Sequence, residues 1–165
     1  MELPWIQIFF FLHIGAAIIA FGPTFVFPLI GGMGGKEPMH ANFATRVSHA
    51  IERKFVLPVA LTMPLSGIGL IWLLPINLLV STGYWLLAGI ALYVFEIVFV
   101  IYRQDPAILK VIKITTPPPG PPAGPLAGGP PPELMAAVKR VQQNGKILAI
   151  VLVVIFFLMI FRPLS

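Results

Sequence analysis

The sequence contains no cysteine, which excludes every site that depends on a thiolate. Disulfide bonds, zinc or iron–sulfur clusters held by cysteine, and cysteine nucleophiles all need that side chain. A metal or cofactor would therefore have to be held by histidine, carboxylate, methionine or tyrosine. The chain has three histidines and six acidic residues with which to do so.

Charged residues are also scarce, and this excludes an ordinary soluble domain. They make up 10% of the 165 residues, whereas about a quarter is usual in a soluble protein. Hydrophobic residues account for 58%, and the mean hydropathy is +0.93. We therefore predict a polytopic membrane protein, with the lipid bilayer as its main partner and no nucleic-acid partner despite the net charge of +5.

Four apolar runs are long enough to cross a bilayer, which takes roughly 20 apolar residues in a helix. They predict an all-α membrane four-helix bundle formed by the whole chain, residues 1–165, as a single domain. The predicted spans are residues 5–30, 55–74, 83–102 and 146–161.

The distribution of lysine and arginine predicts the orientation of these spans. Ten of the eleven basic residues lie in the segments 31–54 and 103–146, and none lies in the turn 75–82. Basic residues are retained on the cytoplasmic side of a membrane. We therefore expect a multi-pass protein of the bacterial inner membrane with both termini outside. Trp5, Trp72 and Trp85 then fall at the outer interface, where tryptophan is favoured.

An amphipathic helix is predicted at residues 39–54, on the cytoplasmic surface before the second span. Its polar stripe contains Arg46, His49 and Arg53 at helical spacing. The stripe is suited to anionic lipid headgroups, or to an anionic cofactor group such as a haem propionate. His49 and Glu52 lie about one turn apart and could touch one metal ion, although a single pair specifies none.

The remaining cytoplasmic segments contain glycine and proline. The glycine run at residues 31–35 is expected to end the first span as a flexible turn. Residues 116–132 are dense in proline and glycine and predict an extended linker. A short helix at residues 133–144 is expected to lead into the fourth span.

His13 is the sharpest candidate for function, because an ionisable side chain within a span is costly and tends to be functional. It shares a helical face with the small residues Ala17 and Ala20, which predicts that it points into the bundle. Three interpretations stay open. His13 is a neutral imidazole hydrogen-bonded to another helix, a ligand to haem iron, or a group that handles protons or metal ions.

Glu96 is the second intramembrane ionisable residue, within the third span. It is either protonated, paired with Arg53, Lys54 or Arg103, or part of a proton relay or ligand set. No complete catalytic constellation accompanies it, and no catalytic residue is predicted. The leading hypothesis is a non-enzymatic membrane module or accessory subunit, packed through small residues against other subunits or copies of itself. The alternatives are a b-type haem protein with His13 as axial ligand, and a small ion or metal transporter.

Three stretches carry a resemblance to a known family. They are residues 11–17 (FLHIGAA), 21–23 (FGP) and 32–42 (GMGGKEPMHAN). Together they resemble a bacterial family of predicted integral membrane proteins, domain of unknown function 2269. The position of His13 in the first of four spans is also similar to that in HemJ-type protoporphyrinogen oxidases and copper-resistance D-type membrane proteins. The likeness to HemJ-type protoporphyrinogen oxidases implies that His13 would ligate haem.

Overall fold

The computed structural model describes residues 4–74, 78, 83–116 and 130–161, which are helical almost throughout. Four of its helical stretches are long and apolar enough to cross a membrane, which confirms the predicted all-α architecture with four spans. They comprise residues Trp5–Lys36, Ala41–Leu73, Tyr84–Thr115 and Pro132–Phe161. The α-helices are α1 (Trp5–Phe21), α2 (Phe27–Lys36), α3 (Ala41–Ile51), α4 (Leu57–Leu73), α5 (Tyr84–Phe99), α6 (Asp105–Thr115) and α7 (Pro132–Phe161).

Short irregular turns join the helices within the first three stretches. A 3-10 turn, Gly22–Phe25, joins α1 to α2 where Pro23 removes a backbone donor. Two π turns, Glu52–Val56 and Val100–Gln104, join α3 to α4 and α5 to α6. The amphipathic helix predicted at residues 39–54 therefore corresponds to α3 and continues directly into the second span. Likewise, α7 joins the predicted short helix to the fourth span.

The glycine run does not form the turn that its composition predicts. Helix α2 continues through it to Lys36. Gly34 is buried, and a Cβ atom at this position would lie 3.0 Å from the Cβ of Ala44. The absence of a side chain thus lets α2 and α3 approach closely, and this packing offsets the low helix propensity of glycine. The prediction failed because Ala44 lies beyond the run on the next helix.

The bundle consists of two halves. In one, α1 packs along α4 and α2 along α3. In the other, α5 and α6 pack along α7. Glycine brings helices together in both halves, since a Cβ at Gly69 would overlap the Phe9 ring and one at Gly89 would lie 2.5 Å from the Met159 methyl. The halves meet through α3 and α6 and through a shared apolar cluster. The buried members of this cluster are Ala20, Phe21, Ala60, Met63 and Leu152.

The exposed faces are apolar where lipid is expected. Phe11 and Ile18 are 77% and 67% exposed, on the opposite side of α1 from buried Ala20. Trp72 is also largely exposed, whereas Trp85 is buried and packs against protein. Most of the predicted outer turn (75–82) and of the proline-rich linker (116–132) lies outside the described residues.

Candidate functional site

His13 is held by the second span. Its Nδ1 atom lies 3.0 Å from the hydroxyl of Ser66, which in turn donates to the carbonyl of Met63 at 3.0 Å. When the hydroxyl proton is used in this way, Nδ1–H donates to Ser66 and Nε2 of the neutral ring is unprotonated. A Cβ on Gly67 would lie 3.5 Å from the imidazole Cε1, so the glycine leaves room for the ring. His13 thus contacts another helix, and its role stays a prediction.

Tyr93 compensates for a proline within the second span. Pro64 has no backbone N–H to donate to the carbonyl of Ala60, four residues earlier. The hydroxyl of Tyr93, on α5, donates to that carbonyl at 2.8 Å. A break in one helix is therefore repaired by a side chain from another, as intramembrane proline requires. This bond links α4 of one half of the bundle to α5 of the other.

Glu96 lies one turn beyond Tyr93 and is 7% exposed. None of the ion pairs within the described ranges includes it, so the predicted partners Arg53, Lys54 and Arg103 do not lie within salt-bridge distance. No hydrogen bond joins it to His13 in that part of the chain. The two intramembrane ionisable residues therefore do not form one site.

Two residues of the polar stripe, His49 of α3 and Arg53 of the first π turn, face Asp105 of α6. His49 Nε2 lies 2.7 Å from Asp105 Oδ1, and Arg53 Nη1 lies 3.9 Å from Asp105 Oδ2. Two turns before His49, Asn42 donates from Nδ2 to the Ile112 carbonyl at 3.2 Å. Two of the three residues predicted to meet lipid or a propionate thus have a carboxylate of their own chain.

Arg46, the third residue of that stripe, is exposed and remains available to a headgroup. Asp105 was not predicted as a partner. It is followed by Pro106 at the start of α6. Aspartate followed by proline indicates the first turn of a helix, but it does not indicate which residue of another helix the aspartate contacts.

A small cavity of about 120 Å³ lies among all four helical stretches, at the level of the two π turns. Glu52 from the first π turn and Gln104 from the second both line it, and they are 7% and 8% exposed. Within the part of the chain that the structure describes, the Oε1 atom of Gln104 is buried without a hydrogen-bond partner. The other lining residues are Phe27, Gly31, Ala44, Thr45, Ser48, Ile108 and Val141. The sequence did not indicate Gln104, since one glutamine near the end of a span carries no signal.

A larger apolar groove of about 640 Å³ lies between the first two helical stretches, nearer the basic end. It begins at Pro23, ten residues beyond His13, or about 15 Å along a helix. His13 does not line it. The described residues contain no group of three or more His, Asp or Glu that could hold a metal ion.

Comparison with known proteins agrees with this architecture. Residues 7–163 match the profile of a family described as predicted integral membrane proteins, DUF2269. No curated protein and no solved structure matches the chain. The match spans all four helical stretches, from α1 to α7.

Proposed function

Because the chain belongs to the DUF2269 family of predicted integral membrane proteins, we propose that it is a non-catalytic module of a larger membrane assembly. It contributes four fixed helices and docks against neighbouring subunits through α1. The observation that carries this proposal is a pair of uncovered glycines, Gly15 within that helix and Gly22 directly after its last residue.

Glycine has two different surroundings in the apolar helices. Gly67, Gly69 and Gly89 are each covered by a side chain of an adjacent helix. Gly15 and Gly22 have no atom within 4 Å of where their Cβ would be. They lie seven residues apart, on the same side of the helix as the exposed Phe11 and Ile18. Each glycine leaves a gap beside these large side chains, into which a side chain of a neighbouring helix can pack. A neighbouring subunit would then replace lipid on this side.

Several polar side chains support the same proposal, because they join different helices of the bundle. His13 contacts Ser66 and His49 contacts Asp105, each on another helix, whereas the exposed His40 contacts Glu37 three residues earlier. Tyr93 and Asn144 donate to backbone carbonyls of other helices. A scaffold needs such contacts between its helices.

The proposal is tested by the size of the assembly in native membranes. The chain has a mass of 18.0 kDa, so a complex extracted with mild detergent should be clearly larger. Gly22→Leu should reduce that size because the added side chain keeps a neighbour away. Gly145→Leu is the matched control, since Gly145 also has open space but lies on α7 near the basic end. Migration of the wild type as a single chain would overturn the proposal.

Because the chain has no cysteine, a single introduced thiol can test whether the neighbour is a second copy of this chain. Gly15→Cys introduces a single thiol into a chain that has none. Oxidation should give a crosslinked pair of this chain if the neighbour is a second copy. A crosslink to a different subunit requires a cysteine or a bifunctional reagent on that subunit.

The orientation belongs to the same proposal. We place the basic end of the bundle in the cytoplasm of a bacterial cell and both termini outside. Lys110, which is 53% exposed, lies at that end. A Lys110→Cys thiol should resist an impermeant reagent in intact cells and react after lysis. Reaction in intact cells would reverse the orientation.

The alternative of b-type haem has one supporting observation. The Ser66 contact fixes Nδ1 of His13, which leaves Nε2 for a metal, as in many histidine ligands. However, the large apolar groove does not include His13. The alternative of ion transport rests on His13 and Glu96, the two ionisable residues within the spans. No hydrogen bond joins these two residues in the described part of the chain.

A further inference from the structure

Each of the two π turns contributes one polar residue to the wall of the same cavity. Glu52 begins the first π turn and Gln104 ends the second. Both line the cavity of about 120 Å³ and both are more than nine-tenths buried. π turns within α-helices occur frequently at functional sites. Two π turns in different helical stretches at one level therefore indicate a functional site at this cavity.

The polar groups that line this cavity are rich in acceptors. The carboxylate of Glu52 accepts only, when ionised, and the Oε1 atom of Gln104 has no hydrogen-bond partner in the described part of the chain. Thr45 uses its hydroxyl proton on the carbonyl of Ala41 at 2.8 Å, which leaves the oxygen lone pairs free. Ser48 adds a second hydroxyl. An unsatisfied buried acceptor is costly, and a buried carboxylate is stabilised by a nearby positive charge, so a cation in the cavity would stabilise both residues.

The basic side chains nearby do not line the cavity. Arg53 follows Glu52 directly, yet its guanidinium lies 3.9 Å from Asp105 and is 46% exposed. His49, one turn before, is bonded to the same Asp105 at 2.7 Å. Neither residue is part of the cavity wall. Both basic side chains are thus paired with Asp105, and none of the ion pairs among the described residues includes Glu52.

We propose that this cavity binds one alkali-metal cation, sodium or potassium, through the Glu52 carboxylate, Gln104 Oε1 and the Ser48 hydroxyl. Oxygen is the ligand atom that hard cations prefer. A single carboxylate with neutral oxygens balances one positive charge and suits a monovalent ion better than a divalent one. A transition metal is disfavoured, since the described residues provide no set of three His, Asp or Glu. The proposal does not depend on the accessory role of the protein.

The test measures cation-dependent stability of the full-length protein in detergent. Thermal unfolding is followed by tryptophan fluorescence while NaCl or KCl replaces N-methylglucamine chloride at constant ionic strength and pH. A ligand that binds only the folded state raises the melting temperature with its concentration. We expect a saturable rise with sodium or potassium, and the ion with the lower midpoint is the preferred one.

Three variants locate the ion. Glu52→Gln should abolish the rise, because it replaces the charged ligand with a neutral side chain of the same size. Gln104→Met should raise the midpoint concentration at least about tenfold, because one ligand oxygen is lost. Glu133→Gln, a 66% exposed carboxylate at the same end of the bundle, should leave the response unchanged.

Direct binding of radioactive sodium or rubidium to folded protein gives a second readout, with one ion per chain expected. If Glu52→Gln does not fold, the Gln104→Met comparison decides. Equal melting temperatures in sodium, potassium and N-methylglucamine would mean that a proton or water satisfies the cavity, and would overturn the proposal. An unchanged cation response in Gln104→Met or Glu52→Gln would overturn it as well, since the ion would then bind elsewhere.

Discussion

Two adjacent glycines provide the most direct test of how the first two spans are connected. Gly34 is buried against α3, with 3.0 Å between its would-be Cβ and the Cβ of Ala44. Gly35 has open space at the same atom. Both lie within α2, so an alanine at either position gains the same helix propensity, up to about 1 kcal/mol. Any difference between the two variants therefore reports packing.

The magnitude follows from that contact. Ala44 meets Gly34 with its Cβ, which cannot rotate away, so α2 and α3 must separate to admit a methyl group. Overpacking of this kind costs about 1–3 kcal/mol. We expect Gly35→Ala to be neutral or stabilising by up to about 1 kcal/mol. Gly34→Ala should be less stable than Gly35→Ala by about 1–3 kcal/mol.

The free energy of unfolding can be measured in mixed detergent micelles by titration with a denaturing detergent. If the glycine run were the flexible turn that its composition suggests, the two variants would have the same free energy of unfolding. Equal stability of Gly34→Ala and Gly35→Ala would refute the continuous helix and the close approach of α2 to α3.

Three further predictions concern the polar contacts. Asp105→Asn should lower the free energy of unfolding by about 1.5–3 kcal/mol in the same titration, because His49 loses a charge-assisted hydrogen bond in a partly buried site. Glu37→Gln, which removes the carboxylate of an exposed pair, should change the free energy of unfolding by less than about 0.5 kcal/mol. Similar losses in both variants would contradict the importance of burial. Ser66→Ala should cost about 0.6 kcal/mol and at most about 1.7 kcal/mol, the range measured for hydrogen bonds between membrane helices, and no loss would mean that the bond is not formed. Protein purified after expression with ample haem should show no Soret band. A Soret band that disappears in His13→Ala would favour the haem alternative over the scaffold.

The spans were predictable because their signal is local. Runs of apolar residues must form helices in lipid to satisfy their own backbone groups. The inward face of α1 was also predictable, since helical spacing alone puts His13 and Ala20 on the side away from Phe11. The need for partners at intramembrane prolines follows from chemistry as well, although the identity of Tyr93 as the donor for Ala60 does not.

The contacts between helices were not predictable, because they join residues far apart in the chain. His13 and Ser66 are 53 positions apart, and His49 and Asp105 are 56 apart. A single sequence gives the face of each helix but not its neighbour. For this reason the sequence alone suggests lipid or a cofactor as the partner of the polar stripe, whereas in the structure His49 and Arg53 meet Asp105 of α6. The cavity at Gln104 escaped detection because it depends on four helical stretches at once.

The length of the helices affects how the protein responds to its membrane. The first stretch has 32 residues and spans about 48 Å, whereas the hydrocarbon of a typical bilayer is about 30 Å thick. Roughly a third of each helix therefore extends past the acyl chains without ending. In a thicker bilayer, the additional hydrocarbon would surround segments that are already helical, so no new helix would have to form. The protein should tolerate hydrophobic mismatch on that side until the charges of Arg53 and Arg103 reach the acyl chains.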